Sequence, residues 1–175
     1  MRNLIKRISA LLLCLLLVTA LAEEAKDTDE AAAAEEGTTL RILRQKQFLD
    51  FAENCRLDSY SRNLSVVLLT DIDLTGVDFA GIPIFCGNFD GNGHTVSGLS
   101  ITQDGSNMGL FRYVDASAVI QNLTVSGAVT PDGSRSAVGG IAGHNAGKIQ
   151  NCFFDGTVSG SDDVGGIAGI NAITG

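Results

Sequence analysis

The segment Val138-Gly139-Gly140-Ile141-Ala142-Gly143-His144-Asn145 returns 26 residues later as Val164-Gly165-Gly166-Ile167-Ala168-Gly169-Ile170-Asn171, with only the seventh position changed. A period of that length marks one supersecondary unit, and such units stack. Fainter copies run upstream. Val119-Ile120-Gln121-Asn122-Leu123-Thr124-Val125-Ser126-Gly127 has the form of Ile149-Gln150-Asn151-Cys152-Phe153-Phe154-Asp155-Gly156, with Ile120 on Ile149, Asn122 on Asn151 and Gly127 on Gly156. Thr95–Ile101 aligns Val96 with Ile120, Leu99 with Leu123 and Ile101 with Val125. Val66–Leu74 reads as a divergent first copy. A single unit this small cannot bury enough apolar surface to offset its own ordering entropy. Stacking buries both faces of each unit and pairs its strand edges with the next. The chain is therefore expected to be all-β, a solenoid of parallel strands with glycines at corners that need positive φ.

Strands are expected near 64–70, 96–101, 120–125 and 149–155, with short ones near 108–111, 138–142 and 164–168. Ile120 and Ile149 should point inward in adjacent coils. Before the repeats, Leu40–Leu43 reads as a short strand. Phe48, Leu49, Phe51, Ala52 and Cys55 then recur at helical spacing over Gln45–Arg56. An amphipathic helix at that place covers the open hydrophobic end and blocks edge-to-edge pairing. Docking of a partner onto that helix is the sharper alternative.

Gly140-Ile141-Ala142-Gly143 and Gly166-Ile167-Ala168-Gly169, each followed by Asn145 or Asn171, resemble the GLUG motif: glycine, leucine, a bulky apolar residue, glycine. Here Ile stands for Leu and Ala for the bulky residue. Phe89-Asp90-Gly91-Asn92-Gly93-His94-Thr95-Val96 followed by Gly109-Leu110-Phe111 is similar to the lead-in found in such proteins. The resemblance spans about residues 64–175. It implies a short right-handed parallel β-helix of the kind found in bacterial secreted or cell-surface proteins. These include adhesin-like proteins of gut bacteria and the non-catalytic parts of some zinc IgA-peptidases. The motif marks architecture rather than activity.

Residues 1–22 have the order of a secretory signal: basic Arg2, Lys6 and Arg7, a Leu-rich run from Ile8 to Val18, and Ala20-Leu21-Ala22 as a small-x-small cleavage site. The run is short for a membrane span, which needs about 20 residues. Leu13 before Cys14 argues against a lipoprotein. Residues 23–38 form an acidic spacer, with seven acids and one base, expected to lack fixed structure. Residues 39–63 form the cap and 64–175 the solenoid. Signal removal takes the net charge from −8 to −11, which excludes nucleic acid and anionic membrane surfaces as natural partners.

Processing leaves Cys55, Cys86 and Cys152. A Cys55–Cys86 bridge would tie the cap to the first coil. Three buried thiols are the preferred reading, and the spacing suggests no metal site.

Asp71, Asp73, Asp78 and Asp90 cluster around the first coil. β-Helices can host carboxylate sites of the glycosidase type, which need two carboxyls at a defined separation. No Lys or Arg is adjacent, and Asp beside Gly and Thr commonly bonds its own backbone in turns. Asp162-Asp163 lacks the spaced pattern and closing Glu of a calcium loop, and neither His94 nor His144 sits in a His-Glu-x-x-His motif. Asn122 is expected to bond along a corner, stacked over Gly98 and Asn151. Phe79, Phe85, Phe89, Phe111, Phe153 and Phe154 are expected in the core or end packing.

The reading is thus an exported, non-enzymatic structural or adhesive surface protein without catalytic, cofactor or metal residues. Its partner would be a protein or glycan ligand at the cell surface. The alternatives are a carbohydrate-active β-helix enzyme, or the non-catalytic repeat region of a larger surface peptidase. The last coil, ending at Ile173-Thr174-Gly175, reads as incomplete, so fraying there and end-to-end self-association are expected.

Overall fold

The computed structural model describes residues 38–133 and 136–172. The signal segment, the spacer up to Gly37 and the final Ile173-Thr174-Gly175 lie outside the described residues.

Among the described residues, fifteen short strands and one helix wind into a parallel β-solenoid. The first level holds β1 (Thr39–Ile42) and helix α1 (Gln45–Asn54). The first full coil contains β2 (Ser65–Leu68), β3 (Ile72–Asp73) and β4 (Ile82–Phe85). The second contains β5 (Asn88–Asp90), β6 (Thr95–Ile101) and β7 (Phe111–Val114). The third adds β8 (Val119–Gln121), β9 (Thr124–Val129), β10 (Ser136–Gly139) and β11 (Ala142–Asn145). The last has β12 (Lys148–Gln150), β13 (Phe153–Val158), β14 (Asp162–Gly165) and β15 (Ala168–Asn171).

Three long sheets run along the stack, β1-β2-β5-β8-β12, β3-β6-β9-β13 and β4-β7-β11-β15, with β10-β14 as a short fourth. Every pairing between these strands is parallel.

Alternation along each strand builds the core. In the first sheet Leu40, Val66, Phe89, Ile120 and Ile149 form one inward row. In the second, Ile72, Val96, Val125 and Phe154 do the same. Ile120 and Ile149 are partners in adjacent coils, as their recurrence demands. The helix buries Phe48 and Phe51. Phe51 sits 5.9 Å from Phe85 and 6.0 Å from Phe89, while Phe48 lies 5.8 Å from Phe79. These rings seal the end of the stack where β3 and β4 have no neighbour above them.

Two expected strands are each split in two. Asn122 and Asn151 adopt φ of 54° and 51°, a left-handed corner that Asn tolerates better than most residues. The chain therefore turns from the first sheet into the second inside the predicted 120–125 and 149–155 runs. The alignment of Thr95–Ile101 with residues 119–125 also needs correction. Val96 stacks on Val125 and Ile101 on Val129, with an irregular register between Val96 and Leu99. Phe89, not Val96, is the partner of Ile120. Each coil carries several short apolar strands, so either offset gives an apolar match.

The GLUG-like segments are the corner from β10 to β11 and from β14 to β15. Ile141 points into the core, fully buried. A Cβ on Gly143 would collide with the backbone of Asn107 and Met108, and one on Gly109 would meet the Gly139 carbonyl oxygen at 2.7 Å. Successive coils touch backbone to backbone here, so the motif needs glycine flanking one inward apolar side chain.

Candidate functional site

The acids singled out by sequence are spread over several turns and bonded locally. Asp71 accepts from the Thr95 N–H at 2.9 Å and lies 3.0 Å from His94 Nδ1. The backbone bond, then the imidazole, hold its carboxyl below the ordinary range. Asp73 accepts from the Thr75 N–H at 2.9 Å, and Thr75 likewise depresses its pKa. Asp78 accepts from Gln103 Nε2 at 2.6 Å. Neither Asp71 nor Asp73 is buried, and none of the four acids is salt-bridged to Lys or Arg among the described residues. The Asp71–His94 contact between neighbouring coils was not foreseen, because 23 residues separate the pair.

Asp90 has a different environment. It lies on the outer face of the first sheet, in register with Val67, Gln121 and Gln150. The Asn92 N–H donates to it at 2.7 Å, Gln121 Nε2 at 2.9 Å and Asn122 Nδ2 at 3.1 Å. Partial burial pushes its pKa up, but the donated bonds outweigh this and leave it lowered. A carboxylate can only accept. Gln121 and Asn122 must therefore turn their nitrogens toward it and their oxygens away. Gln150 Nε2 then donates to Gln121 Oε1 at 2.7 Å, and Asn151 Nδ2 to Asn122 Oδ1 at 3.3 Å. One anion thus orients two amide ladders running toward the last coil. Gln121 and Gln150 recur at matching places in the repeat, a signal present in the sequence. Asn122 does stack over Asn151, but its other neighbour is Asp90 rather than Gly98.

On the third sheet Tyr113 and His144 are in register and stack at 4.9 Å with an interplanar angle of 16°. His144 Nδ1 is shielded from solvent and has no hydrogen-bond partner. Depressions also open among the described residues. One, of about 730 Å³, lies beside α1 and is lined by Leu49, Phe79, Pro83, Arg56, Arg112 and Asp78 among others. Arg112 is held there by the carbonyls of Asn107 and Ser106, at 3.3 and 3.2 Å. The other, of about 450 Å³, opens at the last coil between Asn145, Ile149 and Asn171.

Cys55, Cys86 and Cys152 are free. The Cys55–Cys86 bridge considered above is not formed. Burial and the neighbouring Cys86 push the Cys55 thiol up to about 12. Cys152 is only half-buried, its thiol directed at the carbonyls of Gln150 and Ile120. Phe153, expected inside, is instead 61% exposed, since it shares the outward row with Thr124 while Phe154 takes the inward one. Among the described residues no group of three or more His, Cys, Asp or Glu could hold a metal ion.

The arrangement is a regular scaffold with polar ladders and shallow depressions. Residues 134–159 match the family described as the GLUG motif, which is the β10–β13 part of the solenoid. The chain is similar to Halomucin of Haloquadratum walsbyi, 41% identical over 138 residues, which is 73% of this chain and 2% of Halomucin. It is also similar to a Gly-rich membrane protein of Evansella cellulosilytica, 33% identical over 96 residues, covering 48% of this chain and 11% of that protein. The chain thus spans a small fraction of the relatives it matches. No solved structure matches. Among the described residues no helix is long and apolar enough to cross a membrane.

Proposed function

We propose that this chain is a structural surface module, exported by its N-terminal segment and displaying its solenoid faces to a protein or glycan ligand in an adhesive role. The observation that carries this reading is the similarity to Halomucin over 138 aligned residues, 73% of this chain. The fold supports it. Asp71, Asp73, Asp78, Asp90 and His94 are bonded to turns and to neighbouring coils, and His144 stacks on Tyr113, so they do not converge on one groove. The work done by the conspicuous polar residues is to hold one coil on the next.

Export and display are tested by expressing the whole chain in a bacterial host with its surface exposed to a membrane-impermeant biotin reagent and to added protease. The expected result is labelling and shaving of intact cells, with a mature N-terminus at Glu23 by mass spectrometry. Retention in the cytoplasm with Met1 intact would overturn it. The adhesive part predicts that the purified chain binds a glycan or protein array saturably. Hydrolysis of a glycan, lost on Asp71→Asn or His94→Gln, would favour the carbohydrate-active alternative.

A further inference from the structure

The depression of about 730 Å³ beside α1 falls in the size range of small-molecule sites, roughly 300–1,000 Å³. Two opposite charges line it without meeting. Arg112 comes from β7 and Asp78 from the segment between β3 and β4, yet no ion pair joins them among the described residues. Each is held by something else. The Arg112 stem lies over Gly81, where an added Cβ would meet its Cγ at 3.0 Å. Its head donates Nε and Nη2 to the carbonyls of Asn107 and Ser106. A guanidinium has five N–H donors, so three remain for another acceptor. Asp78 accepts through Oδ1 from Gln103 Nε2 at 2.6 Å, and its Oδ2 makes no hydrogen bond among the described residues.

The same groove holds Leu49 and Pro83, both half-buried. Residues 38–63, which build the cap, carry five bases against three acids in a chain of net charge −8. The groove thus offers a preoriented cation, a separate acceptor and apolar surface. A fitting ligand is anionic at one end, hydroxylated at the other and apolar on one face. A hexuronate ring has that form, with its carboxylate across the ring from two vicinal hydroxyls. An extended peptide fits less well. β4 is the edge strand of its sheet, but Pro83 within it has no N–H to donate to an added strand.

We propose that this groove binds an acidic glycan through a hexuronate unit. The sugar carboxylate takes the free donors of Arg112, a geometry that suits a bidentate pair. The vicinal hydroxyls donate to Asp78, and the C–H face of the ring lies on Leu49 and Pro83. The proposal rests on the adhesive role above and gives that role its ligand class.

The test titrates trigalacturonate and its full methyl ester into the purified full chain by calorimetry. The ester keeps the hydroxyls and ring faces and loses the charge. The acid should bind saturably, and the ester at least ~10-fold more weakly, the scale of one charge-assisted contact. Arg112→Gln should bring the acid down to the level of the ester and leave the ester unchanged, which a general loosening of the fold would not do. Asp78→Ala, at an exposed position, should weaken acid and ester alike, by about threefold or more. If Arg112→Gln fails to fold by circular dichroism, acid against ester in the wild type and the Asp78→Ala variant still decide. Binding of neither sugar, equal binding of both, or indifference to Asp78→Ala overturns the proposal. So does a glutamate-rich peptide that binds through Arg112 as tightly as the trisaccharide, which would make this an acidic-peptide site. The two roles fail separately. A chain that is retained in the cytoplasm but gives these titrations keeps the groove and loses the surface role. A chain that is displayed and binds an array, but ignores uronates, does the reverse.

Discussion

Asp90 shows how one side chain can organise several coils. Its charge selects the orientation of Gln121 and Asn122, and through them of Gln150 and Asn151. Asp90→Ala removes an ionised acceptor from three donors, and hydrogen bonds to charged groups contribute about 1.5–3 kcal/mol each before water replaces them. Because the site is half open to water, the expected loss is about 1–3 kcal/mol in urea unfolding, with Asp90→Asn falling between. Asp71, Asp73, Asp90 and Asp115 all have folded-state pKa values below the ordinary range, through donated hydrogen bonds that in Asp90 first overcome burial. A lowered folded value means the carboxylate form is favoured in the native state. Its contribution is complete above the unfolded carboxyl pKa near ~4 and is lost as pH falls through the folded values. The melting temperature should accordingly be level around neutrality and drop below about pH 4, measurable by calorimetry across that range. The thiols give a third residue-scale expectation. Cys55 is fully buried with its pKa pushed up to about 12, Cys86 is 5% exposed, and Cys152 is half-buried. Since the thiolate is the nucleophile, iodoacetamide should modify Cys152 first, Cys86 next and Cys55 only on unfolding, as read by peptide mass spectrometry.

At the scale of elements, the helix is held by packing more than by its own ends. No side chain caps its N-terminus at Arg44, and no acid lies in its first turn. What holds it is the ring cluster of Phe48, Phe51, Phe79, Phe85 and Phe89. Removing the Phe51 ring deletes the contacts to three of these and opens a cavity. Phe51→Ala should cost about 3–5 kcal/mol in equilibrium unfolding, with loss of helical signal at 222 nm ahead of the strand signal. A similar loss from the exposed Phe153→Ala would contradict the burial that separates these residues. Strand breaks follow a different rule. The corners at Asn122 and Asn151 depend on a residue that accepts positive φ, and their side chains then bond along the stack. Apolar periodicity by itself could not show them, because both halves of each broken run keep inward apolar side chains, Ile120 and Val125 in one and Ile149 and Phe154 in the other.

Among the described residues, α1 packs against β3 and β4, and burial falls off along the stack toward β14. Rows that are fully buried in the inner coils become half-buried in β12 and β13 and exposed in β14. Local stability tracks buried apolar contact and shielded backbone bonds. Hydrogen exchange on a sample diluted below association should therefore be slowest in β6 and β9 and fastest, among the described strands, in β14 and β15. Uniform protection through Asn171 in the monomer would contradict this gradient.

Much of this was present in the sequence by itself. The 26-residue recurrence, the inward Ile, Leu and Val and the amphipathic Gln45–Arg56 segment required a stack of parallel strands with a helix over one end, because units so small cannot bury their faces alone. The GLUG-like glycines were expected at corners needing positive φ, but Gly139, Gly140 and Gly143 do not adopt it, and what Gly139 and Gly143 permit is close backbone contact between coils. The tertiary structure decided the rest. It chose which offset each coil takes on the next, putting Val96 on Val125 and Phe89 on Ile120. It sent Phe153 outward and Phe154 inward, left the thiols apart, and brought Asp71 to His94 and Asp90 to two amide ladders. The physical reason is the same throughout. Apolar periodicity specifies which side of a strand is buried, but several registers satisfy it equally. The choice among them falls to left-handed corners, glycine contacts and side-chain bonds between residues 23 to 32 positions apart, which exist only once the coils are stacked.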